Sequence, residues 1–337
     1  MKLLLICLIT VLLAIQTTAE PLLVNAPQIF KTWTIAFVRN HNIYTAKADG
    51  THIKFIVKDA GAPCWSPDKR ILAYYSLGNI WIIGADGRGK WQLTHYGKQH
   101  RCKPDEIRIS WNHKTNGITF SHPYFLKAAN LTGGSDDSIY GASIYDLYPV
   151  ITGKPIISVR FDIKDGGTSY CFVNNENPTW SRDGETLAFT RNGDIWIAEY
   201  VPEEGGGRAG WDIRRIAAVA EYDSPTYRCS RENRGVTHLS WSPDGEYLSY
   251  CRNRLNGSGS YDMHILKPKN GTFEWDDTEI LNDGVFTPSN CGFQPTFDCF
   301  SPDSKWIAFS SDCSTWAIFL DGKQLVKVIQ NAEHAVW

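Results

Sequence analysis

The chain has 337 residues, a formal net charge of −2 and 42% apolar residues. That length supports a sizeable buried core. The near-zero net charge, with no long run of like charges, argues against nucleic-acid binding, which needs a basic surface.

The first element is a secretory signal over residues 1–19. Lys2 supplies a positive start, Leu3 to Ile15 an apolar stretch, and Thr17 and Ala19 the small residues of a cleavage site before Glu20. The stretch is too short for a comfortable membrane span, which takes about 20 apolar residues. No later segment reads as a span. The expectation is an exported chain, periplasmic or extracellular. Of nine cysteines, Cys7 leaves with the signal. The even remainder favours disulfides in an exported protein. No C-x-x-C occurs, so neither a zinc ribbon nor a redox site is indicated.

Three short strands come next: TIAFVRN from Thr34, NIYTAKADG from Asn42 and HIKFIVK from His52. A fuller unit then begins at residue 62 with APCWSPDKRILAYYS, followed by NIWIIGADG and KWQLT. The same text returns, degenerate, as RISWNHKTNGITFSH over 108–122. It recurs as NPTWSRDGETLAFTR over 177–191, HLSWSPDGEYLSYCR over 238–252 and FDCFSPDSKWIAFSS over 297–311. Each copy reads as four strands: a, ending in Trp or Phe, then b, c and d. Ser-Pro-Asp-Gly suits a tight a–b turn. Asp-Gly after strand c predicts a type I′ hairpin. The chain ends EHAVW, a strand a with no b after it. A four-stranded sheet cannot bury both faces alone, but copies set radially bury one another. The expected fold is an all-β, six-bladed β-propeller over residues 30–337. The C-terminal strand completes the first blade and hides the open edges.

WSPDG followed by an alternating strand and by GNIWIIGADGRGKWQLTHYG at 78–97 resembles the WD40-like repeat of TolB-type six-bladed propellers. The resemblance spans about residues 30–337 and implies the fold. TolB proteins meet a lipoprotein of the cell envelope and carry an N-terminal α/β domain, for which this chain has no room before its first blade. Oligogalacturonate lyases are similar in repeat type and hold a metal–histidine site in their channel.

Candidate functional residues follow from the repeat frame. His238 and His334 lie three residues before their strand-a aromatic. Arg108 and Asn177 hold the same place in other units, as do Ala62 and Phe297. Strand a is innermost, so these side chains are expected near one channel mouth. Imidazoles and a guanidinium there suit a carboxylate or a metal. His238, His334 and Arg108 are the catalytic candidates of an enzyme reading, and Asn177 is a binding residue. Trp91, Trp211 and Trp275 fall outside the packing pattern, in or beside connections, and are expected to stack on a sugar or protein. The long connections 123–142, 201–236, 253–260 and 282–295 are expected to carry binding. Asp136–Asp137, Glu203–Glu204 and Asp276–Asp277, in or near them, read as solvated charge. Cys251 and Cys313 follow equivalent b strands and are a candidate disulfide. The chain has no G-x-S-x-G and no phosphate loop. The reading is an exported, monomeric, non-catalytic propeller binding a protein or polysaccharide through one face, with no cofactor and no metal. The alternative is a polysaccharide lyase or glycoside-acting enzyme at the channel mouth.

Overall fold

The computed structural model describes residues 21–94, 107–114, 117–121, 144–147, 175–191, 193–201, 210–217, 236–253, 261–268, 275–281, 294–311 and 313–337. The expected signal over 1–19 and most of the four long connections lie outside the described residues.

In chain order the strands are β1 (Leu22–Leu23), β2 (Thr34–Arg39), β3 (Asn42–Lys47), β4 (Lys54–Val57), β5 (Gly61–Trp65), β6 (Ile71–Ser76), β7 (Asn79–Gly84) and β8 (Trp91–Gln92). The next eight are β9 (Arg108–Trp111), β10 (Ile118–Ser121), β11 (Ile144–Leu147), β12 (Asn175–Trp180), β13 (Thr186–Arg191), β14 (Asp194–Val201), β15 (Gly210–Ala217) and β16 (Val236–Trp241). The last are β17 (Leu248–Asn253), β18 (Tyr261–Pro268), β19 (Trp275–Leu281), β20 (Gln294–Phe300), β21 (Trp306–Ser311), β22 (Ser314–Phe319), β23 (Gln324–Gln330) and β24 (Glu333–Val336). Among the described residues no helix is long and apolar enough to cross a membrane.

The strands form an all-β propeller. Four sheets have four strands, in the orders β24-β2-β3-β4, β5 to β8, β12 to β15 and β16 to β19. A fifth, β20 to β23, gains β1 on its outer edge. The expected six four-stranded blades become five complete blades and one three-stranded sheet, β9-β10-β11. The fourth strand expected there would fall after β11, and residues 148–174 lie outside the described set. The first strands of the sheets line up side by side: β5 beside β9, β9 beside β12, β12 beside β16, β16 beside β20, and β24 between β20 and β5.

The ring is tied at both ends of the chain. β24 pairs antiparallel with β2, matching Val336 with Ala36. β1 pairs parallel with β23, and Val24 N–H donates to the Leu325 carbonyl at 2.8 Å. Between these ties Phe30 sits 5.3 Å from Trp337 and 5.4 Å from Trp306 and Trp33, ring centre to ring centre. Lys69, in the first a–b turn, hydrogen-bonds the Trp337 carbonyl oxygen. The segment before residue 30 thus packs on the propeller through β1 and Val24.

The a–b turns share one device. Ser66, Ser181, Ser242 and Ser301 each donate Oγ–H to the Asp two residues on, at 2.5–2.7 Å. The same Oγ accepts the N–H of the residue five positions on, at or just before the start of strand b. The fourth turn position is left-handed whether it holds Gly184, Gly245, Lys69 or Ser304. The c–d turns differ from the type I′ expectation. Only the glycine has positive φ, at Gly50, Gly87 and Gly322. The preceding Asp instead turns its side chain onto the chain, as Asp49 Oδ1 does in accepting Thr51 N–H at 3.1 Å.

Cys251 is a buried thiol, whereas Cys313 is disulfide-bonded, so the expected Cys251–Cys313 pair does not form. The two do not hold equivalent places: Cys251 lies within β17, whereas Cys313 falls between β21 and β22.

Candidate functional site

The site grows from an irregularity in strand a. In β5, β12, β16 and β24 two residues oppose one on strand b, and the register slips. The first residue of each bulge is left-handed: Ala62 at φ 50°, Asn177 at 53°, His238 at 59° and His334 at 49°. Asn and His tolerate this conformation better than most residues. A bulge re-aims one side chain out of the pleat. The repeat position three before the aromatic is thus a built departure from the sheet. β9 lacks it: Arg108 pairs regularly with Ser121.

Hydrogen bonds join three of the four expected residues across three neighbouring sheets. Arg108 Nε donates to Asn177 Oδ1 at 3.1 Å, and its terminal nitrogen donates to His238 Nε2 at 2.8 Å. A guanidinium only donates, so His238 accepts at Nε2 in this arrangement. A third Arg108 N–H donates to the Ile107 carbonyl at 2.9 Å. Asn177 passes the chain on, donating from Nδ2 to Thr190 Oγ1 at 3.0 Å. Asn177 is buried, and Arg108 and His238 are half-buried. His334 holds the matching place on β24, where its backbone N–H donates to Ser310 Oγ at 3.0 Å. Thr190, on the b strand paired with the Asn177 bulge, and Ser310, on the b strand of the blade beside β24, were not legible from the repeat.

The three tryptophans sit on strands rather than connections. Trp91 on β8 is 67% exposed. Trp211 lies within β15, opposite Tyr200. Trp275, on β19, is half-buried and packs against Trp241 at 5.9 Å. Asp276–Asp277 also falls on β19, and the connection 201–236 contains β15, because strand d of those units was read as loop. Asp136–Asp137 and Glu203–Glu204 lie outside the described residues.

Comparison with solved structures agrees with this architecture. A TolB candidate from Agrobacterium tumefaciens superposes with a TM-score of 0.50 at 14% identity, covering 89% of this chain and 90% of that one. A chain of a nidogen/laminin complex superposes with a TM-score of 0.52 at 8% identity, covering 90% and 98%. The shared fold is the β-propeller. At such identity the likeness carries fold and not activity. No protein-family model matches the sequence, and no curated protein matches it.

Proposed function

We propose that this chain is an exported, monomeric, non-catalytic β-propeller that binds a protein or glycan partner through the channel face where Arg108, Asn177 and His238 meet. In this reading residues 1–19 are the signal, and the three-stranded sheet is the sixth blade of the ring over 30–337. The observation that carries it is the occupation of His238. A general base needs a free lone pair within reach of the proton it takes. Here Nε2 accepts from Arg108, which suits a fixed recognition element. A guanidinium oriented by Asn177 and an imidazole presents a planar donor to a carboxylate. The partner chemistry is therefore acidic: a uronate-bearing glycan or a protein carboxylate.

The alternative is a polysaccharide lyase or glycoside-acting enzyme at the same channel mouth. One experiment separates the two. Mature protein is incubated with neutral and uronate-containing polysaccharides, with and without chelator, and both retention and product absorbance are read. Binding predicts retention of uronate chains without product, weakened about tenfold or more in Arg108→Ala, since hydrogen bonds to charged groups contribute about 1.5–3 kcal/mol. Product formation that disappears in His238→Ala would reverse the assignment.

A further inference from the structure

In the five complete blades, strand c places a ring opposite an aromatic of strand b. Tyr44, Trp81, Trp196 and Trp316 hold this place in four of them. In the remaining blade the ring is His264, which stacks on Tyr250 with centroids 4.9 Å apart and planes 16° from parallel. Residue for residue, the nearest comparison is the preceding blade. There Asp194 lies two residues before Trp196, Arg215 stands opposite Trp196 on strand d, and Arg215 pairs with Asp194 at 3.3 Å. In the His264 blade Asp262 takes the place of Asp194, and Glu279 takes the place of Arg215. The position that holds Arg215 in one blade holds a second carboxylate, Glu279, in the next.

The imidazole makes a polar contact as well as the stack. His264 is only 6% exposed. Its Nδ1 lies 3.2 Å from Asp277 Oδ1, while Tyr250 donates its hydroxyl to Asp277 Oδ2 at 2.8 Å. A carboxylate on Nδ1–H fixes the tautomer and leaves the lone pair on Nε2. That nitrogen is buried and has no hydrogen-bond partner among the described residues. The ligating atoms of Asp262, His264 and Glu279 all lie within 4.8 Å of one another. Asp262 and His264 are buried and Glu279 is exposed, which gives a closed side and an entry path.

We infer that Asp262, His264 and Glu279 form a binding site for a divalent transition-metal ion of the zinc class, with Asp277 as the residue that orients the imidazole. Imidazole with two carboxylates suits zinc-class ions, whereas magnesium and calcium take oxygen ligands. A carboxylate behind the ligating histidine is the usual support of such sites. The site lies between strands c and d, on the face whose Leu266 and Tyr250 pack against Ile195 and Ile197 of the preceding blade. It is independent of the Arg108 cluster. Arg252 stands across the ladder from Asp262, and an arrangement in which it alone answers these carboxylates predicts no metal uptake.

The test is equilibrium dialysis of mature full-length protein against zinc chloride, with melting temperature read in parallel. The expected result is one zinc per chain at this site, removed by EDTA and not displaced by equal magnesium or calcium, with a higher melting temperature. His264→Phe restores the ring found in other blades, and Glu279→Arg restores the preceding blade's charge pair. Both are expected to fold and to lose this zinc at least tenfold, while Asp277→Asn weakens it about 10- to 100-fold. His238→Ala is expected to leave it unchanged. Failure of the wild type to bind zinc, or equal binding by His264→Phe and Glu279→Arg, overturns the inference. Should either variant fail to fold, the isosteric Glu279→Gln decides in its place, by loss or retention of the zinc.

Discussion

The tie between the two ends of the chain makes the sharpest stability prediction. Trp337 is 3% exposed and meets Phe30 at 5.3 Å and Trp33 at 5.6 Å, both edge to face. Truncating a buried Trp to Ala costs about 3–5 kcal/mol from lost transfer and residual cavity. For a chain of this size a kcal/mol moves the melting temperature by about 2 °C, so Trp337→Ala should melt roughly 6–10 °C lower. Removing residues 332–337 does more. It takes out Ala332, Ala335, Val336 and Trp337, all buried, and strips β2 of its partner, leaving an open edge in the middle of the ring. Such a chain should lose cooperative unfolding altogether. Differential scanning calorimetry reads both variants, with Phe55→Ala as the control because Phe55 is 52% exposed on an outer strand. A deletion variant that melts cooperatively within about 2 °C of the intact protein would remove the basis for a closed ring.

Two further outcomes follow from the repeated turns. A Cβ at Gly184 would lie 2.6 Å from Asn112 Oδ1 and from Lys114 Cβ, whereas one at Gly245 meets nothing within 4 Å. Both glycines are left-handed, so Gly245→Ala should cost only the conformational penalty of about 1 kcal/mol and Gly184→Ala clearly more, by chemical denaturation. Equal losses would contradict the packing. Asp68 accepts from the Ser66 hydroxyl first and the Arg70 N–H second, and these hold its carboxyl below the ordinary value. A depressed carboxyl contributes stability above the unfolded value of about 4, and that contribution is lost as pH falls through the folded value. Asp68→Asn should therefore melt lower at pH 7 and decline less steeply on acidification than wild type, and parallel melting curves from pH 7 to pH 3 would refute this.

The strands were legible because their determinants are local. Trp or Phe, then Ser-x-Asp, then an alternating run, states the end of strand a, the turn and strand b in one phrase, and the Ser66–Asp68 geometry explains why that phrase repeats. The terminal strand was legible by elimination, since EHAVW copies a strand a that the first unit lacks. Three things depend on pairing instead, and pairing is not written in the order of residues. The bulge at His238 exists because Thr237 pairs with Cys251 and Ser240 with Ser249, which leaves two residues facing one. The contact of Trp275 with Trp241 depends on how the strands of their sheet are aligned. His264 is the clearest case. In the sequence it is a histidine with no ligand spacing, because Glu279 is fifteen positions away and Asp262 reads as the polar start of strand c. Only the β18–β19 register sets Glu279 against His264. Repeat proteins hide their departures in this way. The scaffold imposes the same slot in every blade, so a change of chemistry at one slot is visible only beside its counterparts, as Glu279 is beside Arg215 and His264 beside Trp196.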